Sequence, residues 1–384
     1  MFGGTSRSVV RSEVAEVVAI AAPAALSQLG MMLMGVVDTM MLGRFSATAL
    51  AAGALGHSVS VGVIIFALGL LLAIDPLVAQ AWGSRDRGRV RFHFQQAMML
   101  AAVMSIPISL LLWDMTPVLE FFNQQPEVIR ETSIYVRTVI LGVMPFLLFA
   151  ALRQGLQAMS VVRPALVAIV ISNLINVIAN YALIFGHLGA PRLGVRGSAL
   201  ATSVSRWSMF LLLIWLARRH LLPLRLLRRW QRPEGRELAL LFRVGVPISI
   251  HNAVEFWMIT GIALMMGALG AAELGGHQIA LVLAALAYMF SLGIGGAAAA
   301  RVGQAIGAGD PVRVRVAAIV SLLLAVSVMS LSALLFTLAP GLLSRMFTSD
   351  PAVLLVATTL LPIAAFFQIF DGVQVVATGA LRGA

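Results

Sequence analysis

The stretch Val78–Arg91, VAQAWGSRDRGRVR, returns at Val302–Arg315 as VGQAIGAGDPVRVR. At a constant offset of 224 positions, Val78, Gln80, Ala81, Gly83, Asp86, Arg89, Val90 and Arg91 each meet the same residue in the second copy. The register runs back unbroken through Gly69/Gly293, Gly43/Gly267 and Met34/Met258 to Pro23/Pro247. One register held this far is an internal duplication, and so long a repeat makes two related halves rather than a solenoid of short units.

Around this repeat the chain is 60 % hydrophobic and 11 % charged over 384 residues, with a mean hydropathy of +0.96. A soluble domain is roughly a quarter charged, so the composition reads as an all-α polytopic membrane protein. A spanning helix needs about 20 mostly apolar residues. Ten stretches qualify: 14–43, 47–80, 92–113, 131–158, 164–187, 195–217, 238–267, 272–304, 316–340 and 352–381. Helix is the sensible form for each, because an open strand leaves backbone groups unpaired in lipid. With no cysteine there is neither a disulfide framework nor thiol chemistry.

The domain organisation follows from the repeat. Residues 1–217 form an N-terminal six-helix lobe. The segment 218–236, with seven arginines, is a basic cytoplasmic linker, either an amphipathic piece lying on the membrane surface through its Trp and leucines or a plain solvated connection. Residues 237–384 form a C-terminal lobe of four helices, expected to be incomplete because counterparts of the fifth and sixth spans are missing. The same orientation of both copies needs an even number of spans per half, so these are two parallel six-helix repeats with the second truncated. Seventeen arginines fall in segments on the side of the N-terminus and six on the other. The positive-inside rule then puts the N-terminus and the duplicated stretch in the cytoplasm.

Ionisable groups at membrane depth are expensive and mark function by default. Glu255 lies about 18 Å from the cytoplasmic end, counting from Arg243, and Asp371 about 16 Å, counting back from Arg382. Two acids on different helices therefore share a level near the bilayer centre. His251 and Asn252 accompany Glu255, and Gln368 and Gln374 flank Asp371 three residues either side. Acids and amides without a basic partner suit a proton or a hard cation, and Na⁺ at Glu255 and Asp371 is the expected occupant if the ion is a metal. A second polar group combines Asp38 with Asn176 and Asn180, two members of an amide stripe on the fifth span. Interhelical hydrogen bonding is the competing reading for that stripe. Met31 and Met34 share the face of Asp38 and read either as an adaptable cavity wall or as packing. Asp75, before Pro76, is expected to meet water from the cytoplasmic side, while Arg206 in the sixth span has no sequence-level explanation. Pro23, Pro107, Pro145, Pro247 and Pro362 are expected to kink helices or free carbonyls. No HExxH, Walker A or GxSxG motif occurs.

Several stretches resemble one family. PAALSQLGMMLMGVVDTMMLGR, DPLVAQAWGSRD, NLINVIANYALIFGHLGAPRLGVRGSALAT, GVPISIHNAVEF, GGHQIA and FFQIFDGVQVVATGALRGA are similar to the multidrug and toxic compound extrusion (MATE) transporters, NorM-like branch. That resemblance implies twelve spans in two lobes around a central cleft, and export of organic cations in exchange for Na⁺ or H⁺. It further implies that Glu255, Asp371 and Asp38 are the coupling acids, with Gln278 of GGHQIA joining Met31 and Met34 as cavity candidates. Gln157 stands where this branch often has an acid. The expected function is thus a cation-coupled multidrug antiporter, without enzymatic activity or cofactor, acting as a monomer in the bacterial inner membrane on small amphipathic cations, with no nucleic-acid partner. A lipid-linked oligosaccharide flippase would need a basic cavity for pyrophosphate. An intramembrane enzyme would need a nucleophile–base pair or a metal cluster at one depth.

Overall fold

The computed structural model of the chain describes residues 7–121, 125–226, 231 and 234–384. Among them no strand occurs, and ten helices are long and apolar enough to cross a membrane. In chain order spans 1 to 6 are Ser8–Phe45, Ala47–Gly83, Arg87–Trp113, Pro126–Ala158, Arg163–Phe185 and Val195–Leu224. Spans 7 to 10 are Ala239–Leu269, Ala271–Gly307, Pro311–Leu338 and Pro351–Gly383. Spans 3 and 9 begin a turn before the apolar runs, because polar residues cap them. Asp86 accepts from Arg89 N and its counterpart Asp310 from Arg313 N, both at 3.0 Å. These two acids of the duplicated stretch satisfy first-turn N–H groups that have no partner within the helix.

Two spans break where proline dictates. Pro76 has no N–H and its ring crowds the carbonyl four residues back, so span 2 divides at a turn between Ala47–Leu71 and Ile74–Gly83. In span 4 the helix tightens to 3₁₀ at Ile140–Gly142, just ahead of Pro145. The Leu141 carbonyl that Pro145 cannot engage accepts from Trp207 Nε1 of span 6 at 3.1 Å.

The repeats meet through pairs of contacts related by the same 224-position shift. A β-carbon on Gly83 would run into the backbone of Gln304, and one on Gly307 into the backbone of Gln80. Gly69 is pressed against the backbone of Ser249, and Gly293 against that of Ala25. Glycine is required at each site because two helix backbones touch. The side chains repeat the pattern. Gln304 Nε2 donates to Ala158 O (2.7 Å) and Ser160 Oγ (2.9 Å) at the end of span 4. Gln80 Nε2 donates to Gly383 O (3.2 Å) at the end of span 10. Each half thus hooks the fourth helix of the other. A bidentate ion pair lies nearby: Arg301 of span 8 holds buried Glu13 of span 1 at 2.6 and 2.9 Å and reaches Glu16 at 2.8 Å. The second segment of span 2, Ile74–Gly83, packs against span 8, whereas the first, Ala47–Leu71, packs against span 7. The halves are therefore closed together at the end that carries the duplicated stretch.

The linker is described only in part. Leu224 and Leu226 are buried, and Gln95 of span 3 binds the chain there through its amide, donating to Leu226 O at 2.6 Å. Trp230 and three of the seven linker arginines, Arg228, Arg229 and Arg232, lie outside the described residues.

Candidate functional site

Between the repeats lies a cavity of about 690 Å³. Spans 1, 2, 4, 7, 8 and 10 line it, so both halves contribute. Glu255 and Asn252 enter from span 7, Asp371 and Gln374 from span 10, and Met31 from span 1. His251 Nε2 lies 3.9 Å from Glu255 Oε2, one helical turn away. Tyr288 of span 8 lines the same wall, its hydroxyl turned to Glu255. Counting residues along the helices therefore brings together the two acids that were expected to meet. Tyr288 was missed, because a tyrosine within an apolar helix carries no sequence signal.

Among the described residues no three His, Asp or Glu side chains converge as a metal cage. A hard cation here would be held by two carboxylates supplemented by the Asn252 and Gln374 amides and the Tyr288 phenol, a set of oxygen donors that fits such an ion.

Three expected residues lie elsewhere. Gln368 is buried away from the cavity, exchanging hydrogen bonds with Ser332 of span 9. The reason is angular. At 100° per residue, positions three before and three after Asp371 fall about 60° to opposite sides, so the cavity receives Gln374 and span 9 receives Gln368. Gln278 is exposed and not part of the cavity wall, being ten residues nearer than Tyr288 to the start of span 8. Met34 is 7 % exposed within the core of the first half, so of the methionine pair Met31 alone faces the cleft.

Asp38, Asn176 and Asn180 form a separate, buried group in the first half. Asn180 Nδ2 donates to Asp38 Oδ1 and to Asn176 Oδ1, and Thr202 Oγ1 donates to Asp38 Oδ2 at 2.8 Å. Thr202 comes from span 6 and was not foreseen. Arg206, one turn further along span 6, faces the same acid electrostatically. Its guanidinium sits 4.7 Å from the ring centre of Phe146, a cavity residue. That answers the puzzle of an arginine in a spanning helix: ring face and nearby carboxylate stabilise the charge. Asp38 thus has both oxygens engaged, whereas Glu255 and Asp371 open on the cleft.

Asp75 also departs from expectation. Far from meeting water, it is 3 % exposed and sits at the cavity edge with Arg153 and Arg382. Gln157, in place of an acid, lines the cavity and packs against Gly296 of span 8.

The family model MatE matches residues 23–182 and 247–384, and the two matches begin 224 positions apart. Multidrug resistance protein NorM of Vibrio cholerae is 33 % identical over 375 residues, covering 97 % of this chain and 82 % of that protein. Multidrug resistance protein PmpM of Pseudomonas aeruginosa is 36 % identical over 378 residues, covering 97 % and 79 %. Among solved structures, the eukaryotic MATE transporter AtDTX14 superposes with a TM-score of 0.87 at 22 % identity, over 98 % of this chain and 84 % of that one. With its duplicated halves, its intramembrane carboxylates and these matches, the chain belongs to the MatE family as a NorM-like MATE transporter rather than an enzyme.

Proposed function

We propose that this protein exports organic cations in exchange for Na⁺ or H⁺, with Glu255 and Asp371 as the coupling acids. The observation that carries the reading is that these two carboxylates, from different helices, open on one cavity between the repeats. Coupling requires the ion to bind one facing state better than the other. Two carboxylates in a cleft whose walls move relative to each other supply that difference, because separating the walls changes how many oxygens reach one ion. A shift from 1:99 to 99:1 needs about 5.5 kcal/mol of differential binding, within reach of a fully coordinated cation. Asp38 with Asn176, Asn180 and Thr202 is a second coupling site, already hydrogen-bonded and therefore slower to exchange its proton or ion. No cofactor takes part. The bacterial inner membrane is the setting, with the N-terminus and the arginine-rich connections in the cytoplasm. With the repeats closed at that end, this reading makes the open side of the cleft the outward one. The cleft is built within one chain, so a monomer suffices.

The test is ethidium efflux from proteoliposomes under separate Na⁺ and pH gradients. Glu255→Gln or Asp371→Asn abolishes gradient-driven efflux while the protein still inserts. The gradient that drives the parent chain identifies the ion. Undiminished efflux in either variant refutes the assignment.

A further inference from the structure

The cleft has a charged end that ion coupling at Glu255 and Asp371 does not use. Asp75 of span 2, Arg153 of span 4 and Arg382 of span 10 line it together. Arg382 Nε lies 3.8 Å from Asp75 Oδ2, and Arg153 acts electrostatically on the same carboxylate. That spacing is too long for a hydrogen bond. Among the described residues, both Asp75 oxygens and the Nε atoms of Arg153 and Arg382 are buried without hydrogen-bond partners. Two guanidiniums thus share one carboxylate that neither binds directly, and one positive charge is left over. A buried, incompletely paired charge is costly, and the geometry a guanidinium fork satisfies best is that of a carboxylate.

The two ends of the cleft are opposite in sign. Asp371 and Arg382 stand on one helix, eleven residues and about 16 Å apart, and their side chains shorten that span. Phe146, Phe149, Phe256 and Met289 supply apolar wall around them. We propose that Arg153 and Arg382 form a subsite for a carboxylate, with Asp75 as the internal counter-charge that limits its strength. The cleft then favours an amphipathic cation that bears a carboxylate at its other end over the same cation without one. This rests on the reading of the cleft as the export cavity.

The test compares two probes that differ by one group, a fluorescent aromatic cation carrying a carboxylic acid on an alkyl chain at the end opposite its charge and the methyl ester of the same compound, by fluorescence anisotropy with the purified full chain in nanodiscs. The parent chain binds the free acid about tenfold more tightly than the ester, or about 1.4 kcal/mol. Arg153→Gln and Arg382→Gln bring that ratio to about one, chiefly by weakening the free acid, and the ester gains affinity because a like charge has gone. Asp75→Asn moves the ratio the other way, to well above tenfold, which misfolding cannot imitate. An unchanged ratio in the arginine variants, or equal affinities in the parent chain, overturns the subsite and leaves the export reading standing. Failure of both dyes to bind the parent chain overturns both.

Discussion

At their closed end the two repeats do the same thing; at mid-membrane they do different things. Gln80 and Gln304 hook opposite fourth helices, Gly83 and Gly307 let the same backbones touch, and Asp86 and Asp310 cap the same following helix. Nearer mid-membrane, Asp38 of the first half faces Ile262 in register, and Glu255 of the second faces Met31. A contact across a two-fold axis is made twice by the same residues, so closure constrains both copies alike. A binding site off that axis carries no such constraint, and there the copies diverged into a locked polar group and an open one.

The comparison can be broken most severely at the glycines. Gly83→Ala places a methyl group on the Gln304 carbonyl and should hold the halves apart. Spin labels introduced as Arg87→Cys and Val312→Cys, both exposed, would report a main distance longer than in the parent pair. A distance distribution unmoved by Gly83→Ala would show that this contact does not shut the cleft. Next in size is Arg301→Gln, which strands buried Glu13. It should cost about 3–5 kcal/mol, seen as a lowered midpoint in thermal unfolding. Its register counterpart is Leu77, so this brace belongs to one half, and a parent-like midpoint would remove it from the account. The locked and open acids separate on stability: Asp38→Ala removes the carboxylate on which the buried Asn180 and Thr202 donors converge, leaving them only Asn176 Oδ1 and Ser198 O, and should cost about 1–3 kcal/mol. Glu255→Ala, in the cleft, should change the midpoint little; equal losses would erase the distinction. The smallest effect is Gln80→Ala or Gln304→Ala, about 1 kcal/mol each. The two should shift the spin-label population by similar amounts, and markedly unequal shifts would mean that the hooks are not equivalent.

Much of this architecture was legible in the chain. Hydropathy gives spans because lipid demands them, and all ten appear with limits no more than seven residues from those expected; the early starts at Arg87 and Pro311 come from polar caps outside any apolar count. The level shared by Glu255 and Asp371 followed from helical rise alone. What failed was azimuth and partnership. Gln368 and Gln374 are symmetric about Asp371 in sequence, yet a helix turns them to different neighbours. Thr202 and Tyr288 are ordinary residues until another helix brings an acid to them. Asp75, Arg153 and Arg382 come from three spans in both halves, and no periodicity along one helix reveals that they converge.

At the closed end Ala79 meets its own register counterpart, its β-carbon filling the space a side chain on Gly303 would need. Residues 79 and 303 occupy the same place in the two copies. In an assembly of two identical chains that position would have to face itself. Two alanines would overlap, and two glycines would leave a gap where this interface is packed. Joining the halves in one chain frees it to be alanine on one side and glycine on the other, a lock-and-key fit that a dimer of identical chains cannot encode.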